Sequence, residues 1–211
     1  MKIHTFSKKE EIAHAITHGI GALLSVVGLV LLIVYASLEQ NPWLIVSVSI
    51  FGTTMLLMYL ASTIVHSLPE GKWKDIFQIF DHSSIYLFIA GTYTPFLLVT
   101  IRGEIAWVLF GIIWGIALIG ILFKVFFVKK FLVLSTLFYI LMGWLIILVW
   151  EPLTVVMDGT GLLLLAIGGV FYTVGAVFYM WRKIPYHHVI WHLFVLVGSA
   201  FHFFSIFYFV I

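Results

Sequence analysis

The sequence predicts an all-α membrane protein, a bundle of seven transmembrane helices with the N-terminus in the cytoplasm and the C-terminus outside. Three observations carry this. Of 211 residues, 63% are hydrophobic and only 9% charged, against roughly 45–50% and about 25% in soluble domains. The apolar residues fall into seven runs of the roughly 20 residues a helix needs to cross a bilayer. The lysines and arginines gather in alternate connections.

The first run, about 14–37, is too long for the apolar core of a signal peptide and has no small-residue cleavage site after it, so it reads as a span. Asn41-Pro42 ends the connection to the second, about 43–67. Pro69-Glu70-Gly71 separates that from the third, about 77–100. Arg102-Gly103-Glu104 precedes the fourth, about 105–125, and Lys129-Lys130 the fifth, about 131–150. Glu151-Pro152 and Asp158-Gly159 lead into the sixth, about 160–181, and Pro185 opens the seventh, about 187–210. Proline, glycine and charge are the expected breaks. The short connections predict one integral membrane domain over 1–211, located in the cell membrane. No soluble domain and no internal repeat is visible, which lowers the case for a repeat-built transporter. There is no cysteine, which excludes disulfides and thiolate metal sites.

Charge sets the orientation. With the N-terminus inside, the inner side receives Lys2, Lys8, Lys9, Lys72, Lys74, Lys124, Lys129, Lys130, Arg182 and Lys183, and the outer side only Arg102. That orientation is opposite to G-protein-coupled receptors. The last span has no lysine for a Schiff base, which excludes a retinal protein.

Orientation gives depth. His66 lies near the inner end of span two, Asp81 about one turn into span three, and His188 and His192 in the first turns of span seven. At 1.5 Å per residue these groups share a layer on the order of 5–8 Å thick. Asp81 is the one carboxylate clearly within a span. Ionisable groups there are costly, by roughly 2.5–3.5 kcal/mol at the bilayer centre, and mark functional sites. Residues four apart share a helix face, so His188 and His192 can aim at one point and His66 can join from another helix. Three imidazoles with one open position suit catalytic zinc. Water bound there has its pKa lowered to about 7; Asp81 is placed to take a proton from it or orient it. Ser62, four before His66, is placed to hold Asp81 or the water. Spacing alone does not decide between this pair and a second one, His14 and His18, at the same end of span one. His82, His187 and His202 are weaker candidates, and His4 reads as solvated.

Other features have structural readings. Pro95, in "GTYTP" within span three, should kink the helix or end its regular hydrogen bonding, with Thr92 and Thr94 satisfying freed carbonyls. Gly19, Gly21 and the run Gly198-Ser199-Ala200 suggest close helix approach. "FSKKEEIAHAI" reads as a short amphipathic arm on the inner surface.

Four stretches, "EEIAHAITHGIGA", "STIVHS", "DHSSIYLFIAGTYTPF" and "HHVIWHLFVLVGSAFHF", together resemble the hemolysin III family, the bacterial branch of the progestin and adipoQ receptor group, with the alkaline ceramidases as distant relatives. The resemblance covers essentially the whole chain. It implies seven helices, a cytoplasmic N-terminus and a zinc ion near the inner face. It places the zinc ligands on His66, His188 and His192, an aspartate holding the zinc-bound water on Asp81, and the motif serine on Ser62. One departure stands out: the first motif, Glu-x-x-Asn-x-x-x-His, has His14 in place of asparagine, while Glu11 and His18 match. The His14/His18 pair then reads as an accident of that replacement, with His18 left as a weak extra ligand or an outer group behind the ligands, and Glu11 as an outer group.

The expected function is that of a zinc-binding membrane protein of hemolysin III type, a zinc-dependent hydrolase of lipid amides or esters. The alternatives are a sensor or homeostasis protein with structural zinc, and a cytolytic protein. The sequence offers the last little: no export signal and no charged stripe to line a channel. Membrane lipids are the expected partners, one of them as substrate or ligand; no nucleic-acid partner is expected, and the oligomeric state is left open.

Overall fold

The computed structural model describes residues 6–211, so the expectations for Lys2 and His4 lie outside the described residues. Seven helices are long and apolar enough to cross a membrane, and no strand occurs among the described residues.

Helix α1 (Lys8–Leu38) starts with a capping box. The Ser7 N–H donates to Glu10 Oε2 at 2.9 Å, and the Glu10 N–H to Ser7 Oγ at 3.3 Å, satisfying two otherwise unpaired donors. The stretch expected to lie as a separate surface arm is therefore the beginning of the first membrane helix. Helix α2 (Pro42–Ser67) is capped by Asn41, whose side chain accepts from the N–H groups of Trp43 and Leu44, with proline in the first turn; both favour helix initiation. Helix α3 (Lys72–Pro95) passes into a π-helical segment, Phe96–Ile101. The wider winding begins straight after Pro95, which has no N–H to give. Thr92 and Thr94 each donate to the carbonyl four residues back, Phe88 and Ala90. Helix α4 is Gly103–Phe127.

The fifth span is interrupted. Helix α5 (Leu132–Trp144) gives way to a 3₁₀ segment, Leu145–Val149, before α6 (Trp150–Val156). Tyr93 of α3 reaches into the break. Its hydroxyl lies 3.0 Å from the Met142 carbonyl, 2.7 Å from the Gly143 carbonyl, and accepts from the Ile146 N–H at 2.7 Å. A side chain inserted into the backbone ladder is a recognised cause of such irregularity. Asp158 caps α7 (Gly159–Met180) by accepting from the Thr160 N–H at 2.7 Å. Helix α8 (His187–Phe209) follows Pro185 and Tyr186, whose φ of 55° is left-handed.

The bundle is held by α1 against α2 and α8, α2 against α3, α3 against α4, and α7 against α8. Without a hydrophobic drive between helices in lipid, close packing and interhelical hydrogen bonds hold such bundles. Both are present. A side chain at Gly21 would sit 2.6 Å from the Tyr59 ring, and one at Gly198 would sit 2.8 Å from the Tyr172 ring. Gly19 is less confined, with its nearest neighbour, Thr63, at 3.7 Å. Tyr59 donates to Ser199 Oγ at 2.7 Å, and Tyr172 meets the same oxygen at 3.0 Å, tying α2, α7 and α8 together. The exposed apolar side chains, among them Leu23, Val27 and Val30 on α1, form the surface a bilayer would cover.

Candidate metal centre

At one end of the bundle the first turns of α1, the last turn of α2 and the first turns of α8 converge. One ring nitrogen from each of His66, His188 and His192 comes within 4.8 Å of the others, and Glu11, His14 and His66 make a second such group. Such close buried donors could hold a metal ion. Imidazole and carboxylate are the nitrogen and oxygen donors that zinc and other divalent transition metals accept.

The hydrogen bonds orient two of the imidazoles. His66 Nδ1 is 2.6 Å from Glu11 Oε2, so Nδ1 carries the proton and donates, leaving Nε2 with a lone pair. That Nε2 is buried with no hydrogen-bond partner. His192 Nδ1 lies 3.1 Å from Thr17 Oγ1, and the Thr17 hydroxyl itself bonds the Ala13 and His14 carbonyls. A hydroxyl already donating accepts from His192, which again frees Nε2. Glu11 is neutralised on its other oxygen by Lys74 Nζ at 2.6 Å. A carboxylate or hydroxyl behind each imidazole is the usual outer arrangement of histidine metal sites.

Asp81 and Ser62 line an internal cavity together with His18, His188 and His192. From that polar end the cavity continues along apolar side chains, among them Met58, Phe88, Phe96, Ile146 and Val195. Its wall on α3 runs from Asp81 to Tyr93, about 18 Å at 1.5 Å per residue.

The remaining histidines divide. His18 stacks on His192 with ring centroids 3.4 Å apart. His14, read from sequence as an accident, is fully buried among the others, its ring centroid 4.5 Å from that of His66 and 4.7 Å from that of His188. His187 is buried but belongs to neither donor group. His82 lines the cavity. His202, deeper in α8, meets the Leu165 carbonyl at 3.1 Å.

Lys124 is an internal side chain that the charge count along the sequence does not reveal. Counted among the inner-side lysines, it is 1% exposed, and its Nζ donates to Ser135 Oγ at 2.7 Å beneath the Tyr139 ring.

The chain matches the family model described as "Haemolysin-III related" over residues 6–203. It is 55% identical to "Hemolysin-3 homolog" of Bacillus subtilis (strain 168) over 201 residues, 95% of this chain and 94% of the relative. It is 53% identical to "Hemolysin-3" of Bacillus cereus over 203 residues, 96% and 93% of the two chains. It is 32% identical to the Homo sapiens "Monocyte to macrophage differentiation factor" over 209 residues, 93% and 83% of the two. No solved structure matches.

Proposed function

The chain belongs to the haemolysin-III related family of multi-pass membrane proteins, and from that premise and the geometry of the site we propose that it is a zinc-dependent hydrolase of lipid amides or esters. The observation that carries this is the opening of two imidazoles of the donor cluster, with Asp81 and Ser62, onto one internal cavity whose lining is mostly apolar. A mostly apolar cavity with the histidines in its wall matches an amphiphile, whose head group would lie at the histidines and whose tail would lie along α3.

His66, His188 and His192 would hold the ion. When bound, zinc acts as a Lewis acid towards a carbonyl and lowers the pKa of coordinated water. The chain's own residues do the rest. Glu11 and Thr17 fix the rings of His66 and His192. Asp81 accepts a proton at its carboxylate and returns it to the leaving group. Ser62, in the wall of the same cavity, holds that carboxylate in place. The apolar wall excludes bulk water from the reacting bond. The site lies at the bundle end shared with Lys8, Lys9, Lys72, Lys74 and Lys129, which by the positive-inside tendency we place at the cytoplasmic face.

The test is turnover. Purified, zinc-loaded protein is incubated with a panel of long-chain lipid amides and esters, and fatty acid release is followed by mass spectrometry. Release that depends on added zinc supports hydrolysis; none across the panel rejects it. A second reading, a non-enzymatic sensor with structural zinc, draws support from His14, a further donor beside the three. In that case zinc ties α2 to α8, and its removal lowers the melting temperature with no lipid product at any stage.

A further inference from the structure

We propose that His14 is a fourth imidazole ligand, so that in this chain the metal ion is enclosed by His14, His66, His188 and His192. The proposal rests on the metal-binding reading above and concerns the position that reading leaves open.

The four rings form a compact tetrahedron. The centroid of His14 is 4.5 Å from that of His66, 4.7 Å from His188 and 5.3 Å from His192. The other three edges are 5.2, 5.4 and 4.5 Å. Four imidazoles bound through nitrogens at about 2.0–2.1 Å around one tetrahedral zinc place their ring centres about 5 Å apart.

Hydrogen bonding does not account for the burial of His14. It is fully buried, and neither ring nitrogen has a hydrogen-bond partner. An unsatisfied buried polar group costs about 1–3 kcal/mol, a penalty a metal bond removes. With the rings placed as they are, its donor groups with Glu11 and His66, and its Nδ1 is 3.8 Å from Glu11 Oε2. That group is a poor second cation site, because Glu11 is already engaged by His66 and by the Lys74 ammonium. His14 therefore turns between Glu11 on the outside and the ion on the inside. No hydrogen bond of its ring opposes the turn.

The consequence is chemical. A fourth histidine closes the coordination sphere as in structural zinc sites, whereas an asparagine at 14, not among the usual zinc ligands, would leave it open. Substrate or water reaches the ion only when His14 swings back towards Glu11.

The test is coordination in the full-length protein in detergent or nanodiscs, independent of turnover. Zinc-edge X-ray absorption of the wild type should show four imidazole nitrogens. The His14→Asn variant should show three nitrogens and an oxygen, with zinc affinity lower by about tenfold or more. The His14→Cys variant, loaded with cobalt, should gain a thiolate-to-cobalt charge-transfer band, a direct sign that the side chain at 14 touches the ion. Three imidazoles plus oxygen in the wild type, unchanged in His14→Asn and without the band in His14→Cys, overturns the fourth ligand and leaves the three-histidine site standing. Wild type that takes up no stoichiometric metal overturns both.

Discussion

His66 Nδ1 stands 2.6 Å from Glu11 Oε2, and that one bond joins the last turn of α2 to the first turns of α1. It turns the lone pair of His66 away from the carboxylate and towards the cluster. Lys74 Nζ, 2.6 Å from the other oxygen of Glu11, holds the carboxylate from behind. Replacing Glu11 by Gln keeps the shape and removes the charge. Outer partners of this kind contribute 10–100-fold to metal affinity, so zinc binding by the Glu11→Gln variant should weaken by about 10–100-fold. Competition against a fluorescent chelator measures it, and wild-type affinity would show that the carboxylate does not orient the ring.

Asp81 faces the cavity from α3, and Ser62 lines it from α2. Neither group belongs to the donor clusters. The Asp81→Asn variant should therefore retain its zinc and its fold while losing lipid hydrolysis by at least the 10²–10⁴-fold typical of a positioned acid or base. Undiminished product formation by this variant would remove Asp81 from the chemistry.

Tyr93 bonds backbone groups on either side of the break in the fifth span. Phenylalanine at this position leaves the Ile146 N–H and the Met142 and Gly143 carbonyls without that hydroxyl. The expected loss for Tyr93→Phe is about 1–3 kcal/mol, read as a lower thermal midpoint in detergent. An unchanged midpoint would mean that α5 becomes regular once the hydroxyl is gone.

A side chain on Gly21 meets the Tyr59 ring at 2.6 Å, and Tyr59 in turn bonds Ser199 of α8. The Gly21→Val variant should push the ring out of place and separate α1 from α2. Overpacking of this kind costs about 1–3 kcal/mol, and the zinc affinity should fall with it because both helices carry donors. A variant with wild-type midpoint and affinity would show that Tyr59 yields without consequence.

The spans were legible because runs of about 20 apolar residues have one main explanation. The convergence of His66, His188 and His192 was legible because helix rise converts position into depth. The start of α1 is also written in the sequence, as the capping pattern Ser7-Lys8-Lys9-Glu10, although its two lysines equally suit a surface arm. Three features were not legible. The 3₁₀ break depends on a hydroxyl from another helix. The burial of Lys124 depends on Ser135 and Tyr139 across the bundle, since a lysine at a span end reads first as a surface charge. The place of His14 depends on rings from two other helices, and an i, i+4 pair looks the same in sequence whether or not anything meets it.

The most direct measurement is the zinc content of the purified protein beside its His66→Ala, His188→Ala and His192→Ala variants, by inductively coupled plasma mass spectrometry on folded, monodisperse samples. Wild type should carry about one zinc ion per chain and each variant close to none. A wild type free of metal, or variants that keep it, would mean that the histidine cluster is not a metal centre.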